Sequence, residues 1–343
     1  MKKYTLKVQD IRQETDDTIT LCFKQPGLKK IKYHAGQYLT LSFRINGRRY
    51  SRPYSFSSAP AVDGLLETTI KRVPNGIFSN FVNDTLQVGD VVEVLEPMGD
   101  FIYNHDEATK VLYLWGVGSG ITPLFSILKE VLVAQPLIQI RLIYGNKNVG
   151  STIFYESLDY LQTKYSDRLH IWHFHTQSEA NTSNYFVKSG RINNDFIISL
   201  LQDEDIASTK HYICGPVGLK NTIKTVLQSL QCPEQLIFSE DFELVKDPKD
   251  FEDISTQQVT INFENIATTL TVEKGKSVLE SALDAGLELP YSCQTGSCDT
   301  CKGKLVTGEL RMIGLSKKRE DLEKEDFLLC CSYPLTDNVS VAI

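Results

Sequence analysis

The chain has 343 residues, 41% hydrophobic and 23% charged, proportions of a folded globular protein rather than a disordered one. Its net charge of −7 argues against broad binding to nucleic acid or anionic lipid. With 15 Asp+Glu against 9 Lys+Arg, residues 251–343 hold nearly all of that excess. No run of ~18 apolar residues occurs, and MKKYTLKVQD has no apolar stretch behind its lysines, so we expect no membrane insertion, no secretory leader and a cytoplasmic location.

At ~100–200 residues per domain the length predicts two or three domains. Residues 1–104 read as short strands (YTLKVQDI, DTITLCF, QYLTLSF, RRYSRPYSF, LETTIKRV, DVVEVLEP) punctuated by glycines, the pattern of an antiparallel β-barrel or sandwich. Residues 105–242 change rhythm. The strands VLYLWGVG, IQIRLIYG, LHIWHFHT and KHYICG alternate with the helical runs TPLFSILKEVLVA, TIFYESLDYLQTKY and LKNTIKTVLQSL, which predicts an α/β domain on a parallel sheet. Residues 243–256 (ELVKDPKDFEDIST) read as a linker. Residues 257–343 open on a hairpin-like pair, VTINFEN and TTLTVEK, then a helix (SVLESALDAG), a Cys-rich loop and a last strand, an α+β pattern.

Five of eight cysteines fall in the last 51 residues. Without a secretory leader, such a cluster points to metal or redox chemistry rather than disulfides. Cys293-x4-Cys298-x2-Cys301 followed by Cys330 has the plant-type [2Fe–2S] spacing, in which four thiolates hold two irons. Tetrahedral zinc is the bland alternative, although zinc ribbons use two C-x2-C pairs and only Cys298/Cys301 form one. Gly116-Val117-Gly118-Ser119-Gly120 follows a strand and opens a helix at Thr122-Pro123, where backbone and helix N-terminus suit a pyrophosphate. Cys214-Gly215-Pro216 ends another strand, where open α/β sheets place ligands; alternatively, Cys214 is simply a small buried side chain.

These motifs occur in one order, and the set resembles the ferredoxin–NADP reductase superfamily joined to a plant-type ferredoxin. PYSCQTGSCDTCKGKLVTGEL resembles the ferredoxin cluster loop, and LLCCSYP its fourth-ligand segment. The implied fold is multidomain: an antiparallel β-barrel for the flavin, an α/β nicotinamide domain and a β-grasp ferredoxin domain. Counting back from Tyr333-Pro334 makes Cys330 the fourth ligand beside Cys293, Cys298 and Cys301. The loop before it is one residue shorter than the family's, and Cys331 is an added neighbour that could substitute.

For the flavin, the resemblance rests on Arg52-Pro53-Tyr54-Ser55, with KRVPNGIFSNFV and PMGDF after it. It implies that Arg52 binds the pyrophosphate, Tyr54 flanks the isoalloxazine and Ser55 lies near flavin N5. Pro53, Ile70, Lys71, Gly76, Ile77, Phe78 and Ser79 complete the nucleotide site. The K-R-x-x-x-G-x-x-S form favours FAD over FMN. Gly116, Gly118, Ser119, Gly120, Thr122, Cys214, Gly215 and Pro216 would meet the nicotinamide side, with Ser55 and Cys214 at the reacting atoms.

No carboxylate follows IRLIYG; Lys147, with Arg141 second, would attract a 2′-phosphate, so NADP is expected ahead of NAD. The implied activity is an NAD(P)H-dependent reductase handing electrons through flavin and cluster to a protein acceptor such as an oxygenase. The alternatives are an NADH-dependent reductase of a Rieske-type dioxygenase or demethylase, and a non-enzymatic redox sensor. Two features read as structural. His173 and His175 share a strand face without further ligands nearby, and KKREDLEKED (317–326) reads as a solvated helix with i,i+4 charge pairing.

Overall fold

The computed structural model describes residues 2–27, 30–177, 186–315 and 317–343. Contacts divide the chain into two compact units: Lys2–Leu41 with Tyr54–Glu240, and Ser42–Pro53 with Asp241–Ile343.

The N-terminal β-runs form β1 (Lys3–Thr15), β2 (Thr18–Phe23), β3 (Tyr38–Ile45), β4 (Arg48–Ser55), β5 (Leu66–Lys71) and β6 (Val91–Leu95), with helix α1 (Ile77–Thr85) before β6. The sheet order is β4-β3-β6-β1-β2-β5. The pairings β1–β2, β1–β6 and β2–β5 are antiparallel, and beyond β4 a Phe56–Thr68 bridge reaches β5. The expected barrel thus folds as an antiparallel half-barrel sheet.

The strand–helix alternation becomes β7 (Val111–Val117), α2 (Ile121–Ala134), β8 (Gln139–Asn146), α3 (Tyr155–Lys164), β9 (Leu169–His175), β10 (Val187–Ser189), α4 (Asn194–Leu201), β11 (Thr209–Cys214), α5 (Val217–Ser229) and β12 (Ile237–Glu240). All strands are parallel, in the order β10-β9-β8-β7-β11-β12. Alternate β7 residues feed opposite layers: Leu112 and Leu114 pack with α2, and Val111, Tyr113 and Trp115 with α4 and α5. That two-sided burial explains why these strands read as continuous apolar runs. Strand order reverses at β7, with β8 on one side and β11 on the other, and open α/β sheets take ligands at the C-terminal ends of such strands.

In the other unit β13 (Gln257–Phe263), β14 (Ile266–Val272), β15 (Lys302–Thr307), β17 (Asp326–Leu328) and β19 (Val339–Ala342) form a sheet ordered β14-β13-β19-β15-β17, while β16 (Leu310–Met312) pairs with β18 (Ser332–Pro334). Helix α6 (Val278–Asp284) starts at a capping box, Ser277 with Glu280, and buries Val278, Leu279 and Ala282 against the sheet. The β3–β4 hairpin belongs to this unit. Ser51 N–H donates to the Tyr291 hydroxyl at 2.9 Å, and Arg44 and Arg48 pair with Glu288 and Asp284 at 2.8 and 3.0 Å.

The connecting segment is ordered here, and one expectation fails. Residues 243–256 are packed rather than loose: Ile254 is buried, Phe251 meets Tyr333 edge-on at 5.0 Å, and Arg311 grips Asp253 through both carboxylate oxygens at 2.9 and 2.8 Å. The run 317–326 forms no helix among its described residues, because its charges find partners elsewhere in the fold, above all Arg319.

Candidate functional site

The cluster loop begins where Tyr291 is anchored and turns at Gln294 and Gly296, both in the left-handed region (φ 58° and 73°). A side chain at Gly296 would stand 2.2 Å from Leu315 Cδ2 and 3.4 Å from Cys331 Sγ, so the turn requires glycine. Thr295 N–H donates to Cys293 Sγ at 3.4 Å, and Leu329 N–H to the Cys301 carbonyl at 3.1 Å, tying the fourth-cysteine corner to the loop.

Cys293, Cys298, Cys301 and Cys330 are all buried. Hydrogen bonds from Cys298 and then Cys330 hold the Cys293 thiol far below its usual pKa, and the same contacts drive those two upward. Cys330 also contacts Cys301. The four sulfurs therefore converge, with Cys330 set against Cys293, Cys301 and Cys331. Among the described residues no three His, Cys, Asp or Glu gather tightly enough for one metal ion. Four convergent buried thiols in the C-x4-C-x2-C…C spacing suit a two-iron unit. The buried Gln294 Nε2 lacks a hydrogen-bond acceptor, a donor left over beside the thiols. Cys331 is also fully buried, but its Sγ donates to the Leu328 carbonyl at 3.3 Å.

In the flavin motif, β4 carries Arg52 to Ser55 in one extended run, with Ser55 buried and Arg52, Pro53 and Tyr54 half-exposed. Arg52 Nη1 donates to the Ser51 carbonyl at 2.8 Å. Tyr54 lies 5.8 Å from Phe78, ring to ring. Ile70 is fully buried, and Lys71 pairs with Asp17 at 3.4 Å. Gly76 is the N-cap of α1, whose first turn has neither a side-chain cap nor an acidic residue. Ser79 Oγ accepts from Val73 N–H at 3.0 Å, and a Cβ on Gly76 would come within 2.8 Å of it, while Ile77 faces solvent. Uncapped N–H groups at a helix start suit phosphate.

At these strand ends, Gly116 on β7 lies beside Cys214 on β11. A Cβ on Gly120 would stand 2.1 Å from the Cys214 carbonyl oxygen, so the two loops touch through backbone alone. Gly118 is left-handed (φ 56°) with open space around it, and its carbonyl accepts from the Tyr144 hydroxyl at 2.9 Å. Thr122 Oγ1 donates to the Ser119 carbonyl at 2.9 Å. Helices α2 and α5 both start here without acidic first-turn residues; Pro216, after Gly215, is the N-cap of α5. Two positive helix ends thus begin at the C-terminal ends of the neighbouring strands β7 and β11. Lys147 is exposed just past β8, and its carbonyl accepts from Gln177 N–H at 2.7 Å. Asn146 Nδ2, buried beside it, has no acceptor. Arg141 lies at the other end of β8, bound to His170 Nδ1 at 3.0 Å and to Gln139, so it cannot serve this end of the sheet.

Three family models match in chain order: an oxidoreductase FAD-binding domain over residues 5–103, an oxidoreductase NAD-binding domain over 114–225 and a 2Fe-2S iron-sulfur cluster binding domain over 261–335. One subunit of the 1,2-phenylacetyl-CoA epoxidase of Escherichia coli is 30% identical across 98% of this chain and 97% of its own. The chain belongs to the ferredoxin–NADP reductase superfamily with a C-terminal ferredoxin domain. The ferredoxin reductase component of the Mycobacterium tuberculosis 3-ketosteroid-9-alpha-monooxygenase is another such reductase, 30% identical across 98% of this chain and 94% of its own. Phthalate dioxygenase reductase shares the whole three-domain architecture, with a TM-score of 0.69 at 23% identity, covering 99% of this chain and 98% of that one.

This reductase is an oxidoreductase with FAD, NAD and 2Fe-2S domains, so zinc, FMN and the non-enzymatic sensor fall away. No helix among its described residues is long and apolar enough to cross a membrane. Sequence reasoning missed Tyr291, the orphaned Gln294 amide and Arg319. The first two sit inside the cluster-loop motif; the third had no local signal.

Proposed function

We propose that this reductase takes hydride from NADPH in preference to NADH and delivers electrons singly to the oxygenase of a multicomponent system, of the kind to which the phenylacetyl-CoA epoxidase relative belongs. Four buried cysteines in plant-type spacing, inside a matched 2Fe-2S domain, carry this reading, because a one-electron carrier is what hands single electrons to a second protein. When bound, the nicotinamide supplies hydride, FAD takes two electrons and releases them one at a time, and the cluster carries one.

Residues 1–104 hold FAD, 105–242 the nicotinamide nucleotide and 257–343 the cluster, with 243–256 as a packed connection. Arg52 offers its fork to the pyrophosphate, and the N–H groups at Gly76–Ser79 offer donors to phosphate. Tyr54 flanks the flavin ring, and Ser55 holds the position next to the reacting nitrogen. Gly116 to Gly120 and Thr122 seat the dinucleotide at the start of α2, while Cys214-Gly215-Pro216 borders the nicotinamide and keeps the rings at near-attack distance. Lys147 reads the 2′-phosphate. Cys293, Cys298, Cys301 and Cys330 ligate the irons, and the acidic surface of residues 251–343 steers toward a basic patch on the acceptor.

Anaerobic titration of the purified protein with NADPH and with NADH, followed by absorption, tests the scheme. Flavin bands should bleach, cluster bands should follow, and NADPH should act at lower concentration. Equal or better use of NADH would favour a Rieske-type oxygenase or demethylase partner, and absence of iron would overturn the cluster assignment. Transfer to the acceptor should slow as salt rises; indifference to salt would remove the steering claim.

A further inference from the structure

Arg319 lies in a stretch whose sequence reads as solvated charge, yet its side chain is only 14% exposed. Its guanidinium reaches into the cluster loop at two points. Nη1 donates to the Gly296 carbonyl at 3.0 Å, and Nη2 donates to the Asp299 carboxylate. Gly296 lies in the four-residue span between Cys293 and Cys298, and Asp299 in the two-residue span between Cys298 and Cys301. One planar group therefore fixes both spans. Asp321 holds the guanidinium from outside, taking Nε at 2.8 Å and Nη2 at 2.6 Å. Leu315, from the same covering segment, fills the space that makes Gly296 obligatory.

We propose that Arg319 is the positioning residue of the cluster loop, setting both how firmly the loop retains iron and the potential at which the cluster is reduced. This rests on the cluster reading above. The geometry favours arginine specifically: a forked, rigid group meets three acceptors at once, which a lysine ammonium on a flexible stem cannot. Outer partners of metal ligands typically change metal affinity or activity by about 10–100-fold when removed. The charge has a separate effect. Without the guanidinium, Asp299 and Asp321 stand unneutralised at the loop, and the added negative charge opposes uptake of an electron.

The test uses full-length holoprotein, with Arg319→Gln, Arg319→Lys and, as a control, Lys318→Gln; Lys318 is exposed and pairs with Glu320 at 3.3 Å. Three quantities are read: the rate of iron loss to a chelator, the midpoint potential of the cluster by EPR-monitored titration, and the rate of flavin reduction by NADPH. Arg319→Gln should lose iron about 10–100-fold faster and shift the potential downward, leaving flavin reduction unchanged. Arg319→Lys should keep a near-native potential but lose iron at an intermediate rate, and the control should match the wild type. Should the glutamine variant fail to fold, the lysine variant still decides, since a native release rate there sinks the idea. A wild type holding two irons and two sulfides, with both variants unchanged, overturns the role of Arg319 alone. A wild type without iron overturns the cluster reading itself.

Discussion

The cluster loop and the nicotinamide site reach a ligand-ready shape by opposite routes. At the loop the chemistry is in side chains: four buried thiols, an orphaned amide and an arginine clamp. At the nicotinamide site it is in the backbone, where Gly120 meets the Cys214 carbonyl and two uncapped helices begin. A site of the first kind is announced by residue type and spacing. A site of the second kind is announced only by where side chains are missing, and glycines are missing side chains for many reasons.

That contrast can be broken experimentally. The largest effect should come from the loop. Cys330→Ser should abolish the cluster spectrum, whereas Cys331→Ser should keep it, because the Cys331 thiol faces the Leu328 carbonyl; the reverse outcome would falsify the ligand assignment. Gly120→Ala comes next. The new methyl cannot fit against Cys214, so loop and strand must part by something like an ångström, enough to slow hydride delivery about 100-fold, while the cluster bands stay intact. Stopped-flow flavin bleaching near the wild-type rate would mean the close approach is incidental.

A smaller change is expected at Lys147, where one charged hydrogen bond is at stake. Lys147→Asp should raise the KM for NADPH about tenfold, as the loss of roughly 1.5 kcal/mol implies, and spare NADH. If both nucleotides suffer alike, the lysine is not the reader.

The smallest effect separates the two halves by acid. Burial pushes His211 down to about 3 and His173 to about 4, so both are neutral when folded. In the unfolded chain they bind protons below about 6.5. Stability is therefore complete above that pH and is lost as pH falls through the window toward 4 and then 3, at about 1.4 kcal/mol per pH unit for each histidine. Residues 241–343 contain no histidine. Between pH 7 and 5.5, thermal release of flavin should shift by several degrees, roughly 2–4 °C per kcal/mol, and His173→Gln should flatten that dependence. An unchanged slope in the variant would reassign the acid sensitivity.

The same contrast explains what was legible in the sequence. Strands buried on both faces, such as VLYLWGV, and helices such as ITPLFSILKEVLVA state their packing in every residue, so β7 and α2 fall where expected. Helices α1 and α4 went unread, whereas the still shorter α6 declared itself through its Ser277–Glu280 capping box; α1 hides inside a motif valued for its phosphate contacts. The supposed helix at 317–326 failed for a different reason. Alternating charges satisfy an i,i+4 pattern on paper, but Arg319 is taken by Gly296, Asp299 and the i+2 neighbour Asp321, and its i+4 neighbour Glu323 by Lys304. In the connection at 243–256, Ile254 and Phe251 act as apolar anchors that its charges and its Pro conceal.

The hairpin 42–53 has a practical bearing on anyone cutting this chain into modules. It is continuous with the strand that carries the flavin motif, yet it folds with the tail through Ser51 and Tyr291 and through the arginine pairs at Glu288 and Asp284. A truncation at residue 240 would strip a buried hydroxyl from a main-chain amide and leave Arg44 and Arg48 without their acids. A ferredoxin grafted from a relative would need its own tyrosine and carboxylates in register with this turn, so transplantation succeeds or fails on a dozen residues that lie nearly two hundred positions before the apparent seam.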